Sequence, residues 1–309
     1  MTIVRLQVGE LVRNYFARLG RANDATADAQ IRWRLRRILG MHGADTSRTL
    51  IALIADANDR TESEVLSLHS MVPFTHHTST SLDQDAPLGW SDYIVQRHGL
   101  EHQSRRALLC DKCIKSDLER GYSHWRRDHQ LPGELACRIH AQPLIRTGNI
   151  TDFGLMPHEA LDELRRAGGD RKVEPARVAA WIDRYLEFAS HFMRQRRPIQ
   201  HALYVSVIGQ RATEIRYCRD HRSPGRLISD DVLDAYPKNW LIETLPRMID
   251  KVKGTYFMSL DPSIKSTEAH SKTEAHCLAL PLLFGSLREF LNEIQTAQQK
   301  TKGKERPEA

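Results

Sequence analysis

The sequence is organised around two short motifs, Cys110-Asp111-Lys112-Cys113 and Cys137-Arg138-Ile139-His140. Within each motif two residues separate the metal-ligand side chains, and this spacing lets a tight turn aim both at one point. Together they offer three thiols and one imidazole, a set that suits tetrahedral zinc. The pattern predicts one Zn²⁺ per chain, held by Cys110, Cys113, Cys137 and His140.

The predicted zinc site is structural rather than catalytic. Four protein ligands leave the metal no open position for water, as in closed structural sites. The sequence has neither the His-Glu-x-x-His motif of zinc peptidases nor the His-x-Glu motif of zinc deaminases. We therefore expect no catalytic residue here. Two other residues could replace His140 as the fourth ligand, because His124 and His129 lie between the two motifs.

A second group of cysteine and histidine residues follows later in the chain. It begins with Cys218 and His221, and His270, His276 and Cys277 come after it. Only Cys218 and His221 have the two-residue spacing, so two interpretations stay open. Either a second metal site forms, or Cys277 is a small apolar residue on a buried helix.

The flanking sequence predicts a mainly α-helical protein. Apolar residues recur at helical spacing in the N-terminal part and again between Pro175 and Pro198. We expect the following parts: an N-terminal helix-turn-helix-like helical domain (1–80), a treble-clef-like or ribbon zinc-finger module (81–150), a C-terminal helical domain (151–297) and a disordered tail (298–309).

Local signals predict several element ends. The apolar stripe from Val8 to Leu19 predicts the first helix, and Gly40 is a plausible stop for the second. Thr61-Glu62-Ser63-Glu64 is a capping-box pattern that opens a short helix. Pro157 stands where a helix can begin. Residues 75–90 are polar and turn-rich, which predicts an exposed linker.

Composition excludes several protein classes. The chain has 309 residues, of which 40% are hydrophobic, and no stretch approaches the ~18–20 apolar residues of a membrane span. Met1 to Arg5 lack the apolar block of a signal peptide. Five cysteines are too few for a disulfide scaffold, so we expect a cytoplasmic protein without membrane partners.

The net charge of +6 is unevenly distributed. Residues 1–60 and 96–150 each hold ten basic and six acidic residues, whereas residues 61–95 hold no Lys or Arg. Within these basic blocks, Arg32, Arg36, Arg126 and Arg127 are the candidates for contact with nucleic acid or an acidic partner. The alternative is that they are solvated surface, and that Trp125 beside Arg126 only packs over the zinc core.

The motifs resemble the TniQ family. The family pattern of Cys-x-x-Cys, an acidic residue, a Trp, then Cys-x-x-His-x-x-Pro-Leu is similar to one series of residues in this chain: Cys110, Cys113, Asp117, Trp125, Cys137, His140, Pro143 and Leu144. The stretch from Glu10 to Asn23 resembles the family's opening helix. The likeness is close over residues 1–150 and looser beyond, and Leu109 and Asp111 depart from the usual residues.

The resemblance implies a non-catalytic selector of target sites for DNA transposition. Such an adaptor links target DNA, or an RNA-guided Cascade-type complex, to an AAA+ transposition ATPase and its transposase; whether it forms a homodimer stays open. The residues alone also allow a sequence-specific DNA-binding transcriptional regulator with a structural zinc finger. A zinc hydrolase is the third alternative, and the closed site argues against it.

Overall fold

A computed structural model describes residues 2–25, 27–41, 48–80, 89–100, 107–147, 153–169, 180–217, 225–264 and 272–304. As predicted, this part of the chain is mainly α-helical. Its α-helices are, in chain order, α1 Val12–Arg21, α2 Asp28–Ile38, α3 Leu50–Ala57, α4 Glu62–His69, α5 Val72–Thr75, α6 Asp92–His98, α7 Asp111–Leu118, α8 Pro157–Arg166, α9 Ala180–Arg194, α10 His201–Glu214, α11 Ile228–Ala235, α12 Lys238–Thr244, α13 Thr273–Phe284 and α14 Leu287–Lys304.

Strands in the described residues are short and occur in pairs. They are β1 Thr78–Ser79, β2 Leu108–Leu109, β3 Ala136–Cys137, β4 Gln142–Pro143, β5 Ile145–Arg146 and β6 Ile199–Gln200. β1 pairs with β6 in parallel, whereas β2 pairs with β5 and β3 with β4 in antiparallel fashion. The described residues also form short 3-10 helices at Asp128–Gln130, Pro246–Asp250 and Asp261–Ile264.

The chain forms two compact units. The first consists of Met1–Pro73 and Trp90–Pro175, and the second of Phe74–Gly89 and Ala176–Ala309. The predicted N-terminal helices and the Cys/His motifs thus belong to the same unit. The predicted domain boundaries at residues 80 and 150 stay predictions.

Element ends in the first unit follow the local sequence signals. Gly40 follows α2 with φ of +67°, a left-handed conformation that glycine adopts without strain. Thr61 and Glu64 form the predicted capping box, in which the Glu64 N–H donates to Thr61 Oγ1 at 3.2 Å. Pro157 is the first residue of α8. Helix α1 begins at Val12, after the first residue of the predicted apolar stripe. Val8 lies before the helix and is exposed.

An aromatic core fills the second unit. Its fully buried aromatic side chains include Tyr185, Phe188, Phe192, Tyr204, Phe284 and Phe290, which come from α9, α10, α13 and α14. α9 lies in the interval between Pro175 and Pro198 where a long helix is predicted. Phe290 contacts four other aromatic rings at centroid distances of 5.3–6.2 Å. Such tilted ring pairs contribute beyond their buried area.

Two segments of the second unit differ from the sequence prediction. The predicted exposed linker includes His77, which is instead buried, and β1, which pairs with β6. The reason is that the His77 ring packs 4.5 Å from Phe192 and 5.1 Å from Tyr204, so this histidine serves as a core aromatic. The predicted disordered tail begins at residue 298, yet α14 runs to Lys304. The Gln and Lys residues in the last part of this helix have favourable helix propensities.

No helix in the described ranges is both long and apolar enough to cross a membrane.

Candidate metal centre

Each half of the Cys/His cluster is positioned by a small element of the first unit. Cys110 follows β2 and is the N-cap of α7, so that Cys113 lies in the first turn of that helix. Cys137 ends β3, and His140 lies in the turn that joins β3 to β4. The next residue, Ala141, takes φ of +47° to close this turn. A helix start and a hairpin turn thus present two ligands each.

The four predicted ligands are brought together. His140 Nδ1 lies 3.5 Å from Cys110 Sγ, 3.3 Å from Cys113 Sγ and 3.6 Å from Cys137 Sγ. Cys113 Sγ and Cys137 Sγ are 3.6 Å apart. Zinc bonds of ~2.3 Å to sulfur and ~2.1 Å to nitrogen, arranged as a tetrahedron, require ligand atoms about 3.5–3.8 Å apart. The cluster therefore fits a tetrahedral metal ion of this size.

The chemistry of the cluster also suits a metal. A hydrogen bond from Cys113 lowers the pKa of the Cys110 thiol to about 4, which makes a thiolate available. Burial raises the pKa of Cys137, so this thiol keeps its proton until a cation replaces it. All three cysteines are buried and none forms a disulfide. This set of atoms could bind a metal ion as one group.

Neighbouring polar groups support the sulfur atoms. Gln142 Nε2 donates to Cys110 Sγ at 2.9 Å, and His129 Nε2 lies 4.0 Å from Cys113 Sγ. Donors of this kind fix the orientation of thiolate ligands and stabilise their charge. Of the alternative fourth ligands, His129 approaches one sulfur only. His124 instead faces Asp117, with Nδ1 at 3.4 Å from the carboxylate.

The segment between the two motifs is joined to the N-terminal helices. The Leu11 N–H donates to the Trp125 carbonyl at 2.8 Å, and the Arg127 N–H donates to the Gly9 carbonyl at 2.9 Å. Trp125 itself is buried, its Nε1 donates to the Leu155 carbonyl, and its ring meets Phe153 edge-on at 5.1 Å. Trp125 is therefore a packing residue of this unit rather than an exposed stacking surface.

A buried ion pair lies next to the N-terminal residues that bond to the Trp125 segment. Arg18 donates to both carboxylate oxygens of Glu10, at 2.8 and 2.7 Å, and both residues are buried. Burial raises the pKa of Glu10, and the Arg18 guanidinium opposes that rise. His69 Nδ1 donates to the Glu10 carbonyl at 2.9 Å, and burial lowers the pKa of His69 to about 4. The α1–α4 bundle and the Trp125 segment thus share one polar interior.

The two arginines beside Trp125 do not lie on a free basic surface. Arg127 is buried, and its Nη1 donates to the carbonyl of Ser70 at 3.1 Å and also to that of Ser67. Arg126 Nη2 pairs with Asp117 at 2.7 Å, and its side chain is only 17% exposed. Both guanidinium groups thus bond to the interior, so their placement does not support an external contact.

The other two predicted contact residues lie on α2, one helical turn apart. Arg32 and Arg36 are half-buried. Next to them, Trp33 is 56% exposed and the Arg37 guanidinium lies 4.8 Å from its ring centroid. Arg32 and Arg36 are therefore on a different part of the unit from Arg126 and Arg127, and the structure does not join the four into one site.

The second predicted Cys/His group remains open. Cys218, His221 and His270 lie outside the described residues. Cys277 is fully buried on α13, as expected for a small apolar residue. His276 packs against His77 at a ring-centroid distance of 5.0 Å.

Sequence reasoning missed Gln142 and the Glu10–Arg18 pair. Gln142 stands two residues after His140, and only the hairpin pairing of β3 with β4 turns it toward Cys110. Glu10 and Arg18 are separated by eight residues, and no local spacing rule marks them as partners. The one signal that the sequence offers is an acidic residue, Glu10, just before the apolar residues of the first predicted helix.

Comparison with known families gives a match to the first part of the chain. A family model described as TniQ matches residues 1–144, a range that contains α1 to α7 and all four residues of the Cys/His cluster. A search of curated proteins finds no match. By this match, residues 1–144 are similar to the TniQ family, whose members are non-catalytic adaptors associated with target selection in transposition.

Proposed function

We propose that this chain selects target sites for DNA transposition by linking a target-bound complex to an AAA+ transposition ATPase. The family match over residues 1–144 carries the proposal. The transposase would act downstream of the ATPase, and the target would be marked either on DNA directly or by an RNA-guided Cascade-type complex. The chain itself would supply contacts and no chemical step.

A structural zinc ion fits this role. Cys110, Cys113, Cys137 and His140 would hold it with four protein ligands, which leaves no site for a reacting water. Its contribution would be to hold α7 against the β3–β4 hairpin and thereby to keep the Trp125 segment in contact with the N-terminal helices. The metal would thus shape a contact surface at a distance.

One feature of α4 argues against the alternative of a DNA-reading regulator. α3 and α4, joined by residues 58–61, have the lengths of a helix-turn-helix pair. In that motif the N-terminal residues of the second helix approach base edges. Here those residues include Glu62 and Glu64, whose carboxylates would repel the phosphate backbone. Readout of DNA by α4 is therefore disfavoured, and a contact with protein is favoured.

The proposal is tested first by gene neighbourhood and then by reconstitution. It requires genes for a transposase and an AAA+ ATPase beside this one. With those proteins purified, the chain should bind the ATPase in a pull-down, and its omission should abolish insertion at the preferred site. Insertions that keep their number and position without the chain would refute the adaptor function.

A matched pair of variants separates target selection from folding. Arg32→Glu combined with Arg36→Glu changes the half-buried arginines of α2, while Arg211→Glu changes a partly exposed arginine of the second unit. The former should weaken ATPase or DNA binding and the latter should not. DNA affinity measured across a salt series tells the two partners apart, since each lost phosphate contact lowers the log–log slope by about 0.9.

A further inference from the structure

A groove in the first unit opens between α2 and α6, above the beginning of α3. Its volume is about 500 Å³. Three arginines line it: Arg13 from α1, Arg32 from α2 and Arg97 from α6. Because three separate helices contribute them, the fold rather than a run of basic sequence creates this cluster.

The groove carries an excess of positive charge. Asp28, its one lining carboxylate, pairs with Arg13 at 3.0 Å. Arg32 has no ion pair or hydrogen bond with any residue in the part of the chain that the structure describes. Arg97 donates to the Tyr93 hydroxyl and is exposed, and no described carboxylate pairs with it. Two guanidinium groups are thus available to an anion.

The bottom of the groove is apolar and closely packed. Leu50 and Ile51 at the start of α3 and Val95 of α6 line it, and each is buried. A methyl group at Gly99 would lie 2.5 Å from the Val95 carbonyl oxygen and 2.8 Å from the Ile51 side chain. The end of α6 therefore approaches α3 closely, which keeps the two walls of the groove in fixed positions.

We propose that this groove binds an acidic peptide segment of a protein partner, one that presents carboxylates beside an apolar side chain. The guanidinium fork of arginine matches a carboxylate with two parallel hydrogen bonds. The buried floor gives an apolar side chain a place to pack. A DNA backbone offers phosphates but no long apolar side chain that could reach that floor, so the concave shape with an apolar base favours a peptide.

The inference rests on the proposed function only in taking the partner to be a protein. It names the surface and the chemistry that such an adaptor would use for one of its contacts. It also replaces Arg126 and Arg127, which face the interior, by Arg97, which the sequence did not single out.

The test uses the full chain and a short fluorescein-labelled peptide of alternating Glu and Leu, followed by fluorescence anisotropy at low salt. Arg32→Glu combined with Arg97→Glu should weaken binding roughly ten-fold or more, because each change replaces an attraction by a repulsion. Arg34→Glu is the matched control, since this arginine lies on α2 but does not line the groove. It should alter the affinity by no more than about two-fold.

Three further measurements make the outcome decisive. Arg32→Gln with Arg97→Gln repeats the test without charge reversal if the first variant fails to fold by circular dichroism. A peptide with Gln in place of Glu should bind weakly, and a mixed-sequence DNA duplex should not displace the acidic peptide. Absent binding, unchanged affinity in both double variants, or displacement by duplex with the same arginine dependence would each overturn the proposal.

The two proposals fail in different ways. Peptide binding through the groove in a chain that has no effect on insertion would refute the adaptor function and leave this inference standing. If target selection is lost when the chain is omitted but the groove binds no peptide, the adaptor function is supported and this inference is refuted.

Discussion

Different kinds of interaction stabilise the interiors of the two units. In the first, buried polar and metal-ligand groups lie at the centre: the Cys/His cluster, the Glu10–Arg18 pair and the hydrogen bonds around Trp125. In the second, a cluster of aromatic rings around Phe290 fills the interior. Removing one partner of a buried polar pair leaves the other unsatisfied and strongly destabilises the fold. In an apolar core, the loss of stability grows with the number of buried atoms that a substitution removes.

The difference also bears on function. Most of the family match lies in the first unit, where ligand geometry and hydrogen bonds fix the position of each segment. Directional contacts of this kind define one arrangement of α1–α4 against the Trp125 segment. The second unit, most of which lies outside the matched range, has a core that should tolerate exchange of apolar side chains of similar volume.

The largest expected effect is the loss of metal. Cys110→Ser removes one of four ligands, and structural zinc in small modules contributes on the order of 10 kcal/mol to folding. The variant should lose the structure of residues 107–147 while α9, α10 and α13 of the second unit keep theirs. Hydrogen exchange measures both units in one experiment, and elemental analysis gives the zinc content.

Two results would contradict this prediction. Wild-type protein purified without chelator could contain no zinc, or the variant could protect its amides as well as wild type does. Cys277→Ser is the control, because this cysteine is buried on α13 away from the cluster and should leave zinc content unchanged.

The next effect tests the buried ion pair. Glu10→Ala leaves the Arg18 charge buried without its carboxylate, and we expect a loss of about 3–5 kcal/mol in the free energy of unfolding. Urea unfolding of the first unit measures it. Combining it with Arg18→Met should restore much of the loss, since the unpaired charge is gone. A single variant as stable as wild type would show that the pair contributes nothing.

The third effect is a pH dependence of the second unit's stability. Burial and the nearby His276, His76 and His201 hold the pKa of His77 well below its ordinary value of 6.5. The unfolded chain therefore takes up a proton below pH ~6.5 that the folded unit resists, and stability falls as the pH drops from there, by at most about 1.4 kcal/mol per pH unit.

His77→Phe keeps an aromatic ring at this position and removes the titration. Its second unit should lose less stability between pH 7 and pH 5 than wild type does, as measured by amide exchange in α9 and α10. Equal losses in both proteins would show that His77 does not set the acid sensitivity. His98→Phe, on α6 of the first unit, is the control and should behave as wild type in this region.

The sequence predicts features that depend on neighbours along the chain. The spacing of the cysteines and His140 indicated a four-ligand cluster, and the capping box at Thr61 and the stop at Gly40 follow from local chemistry. It could not predict that Arg127 is buried, because that depends on the Ser67 and Ser70 carbonyls far away in the chain. The same reason hides the groove that Arg13, Arg32 and Arg97 form together.

The smallest expected effect concerns helix caps. In the first unit Thr49, Thr61 and Ser91 each accept a backbone hydrogen bond at a helix start. In the second unit, Ser286 Oγ accepts such a bond from the Glu289 N–H at 3.2 Å, but the N-caps Gln200, Leu227, Pro237 and Lys272 make none. Capping therefore stabilises helix starts mainly in the polar unit.

Exchanging the caps tests that contrast directly. Thr61→Ala removes an acceptor for the Glu64 N–H and should cost about 1 kcal/mol. Lys272 is exposed with φ of −65° and ψ of 146°, a geometry that suits an N-cap, so Lys272→Ser should add up to about 1 kcal/mol to the second unit. Hydrogen exchange at α4 and α13 reads out each change. If Lys272→Ser adds nothing while Thr61→Ala weakens α4, the aromatic core alone fixes the start of α13, and the two units differ even in what begins their helices.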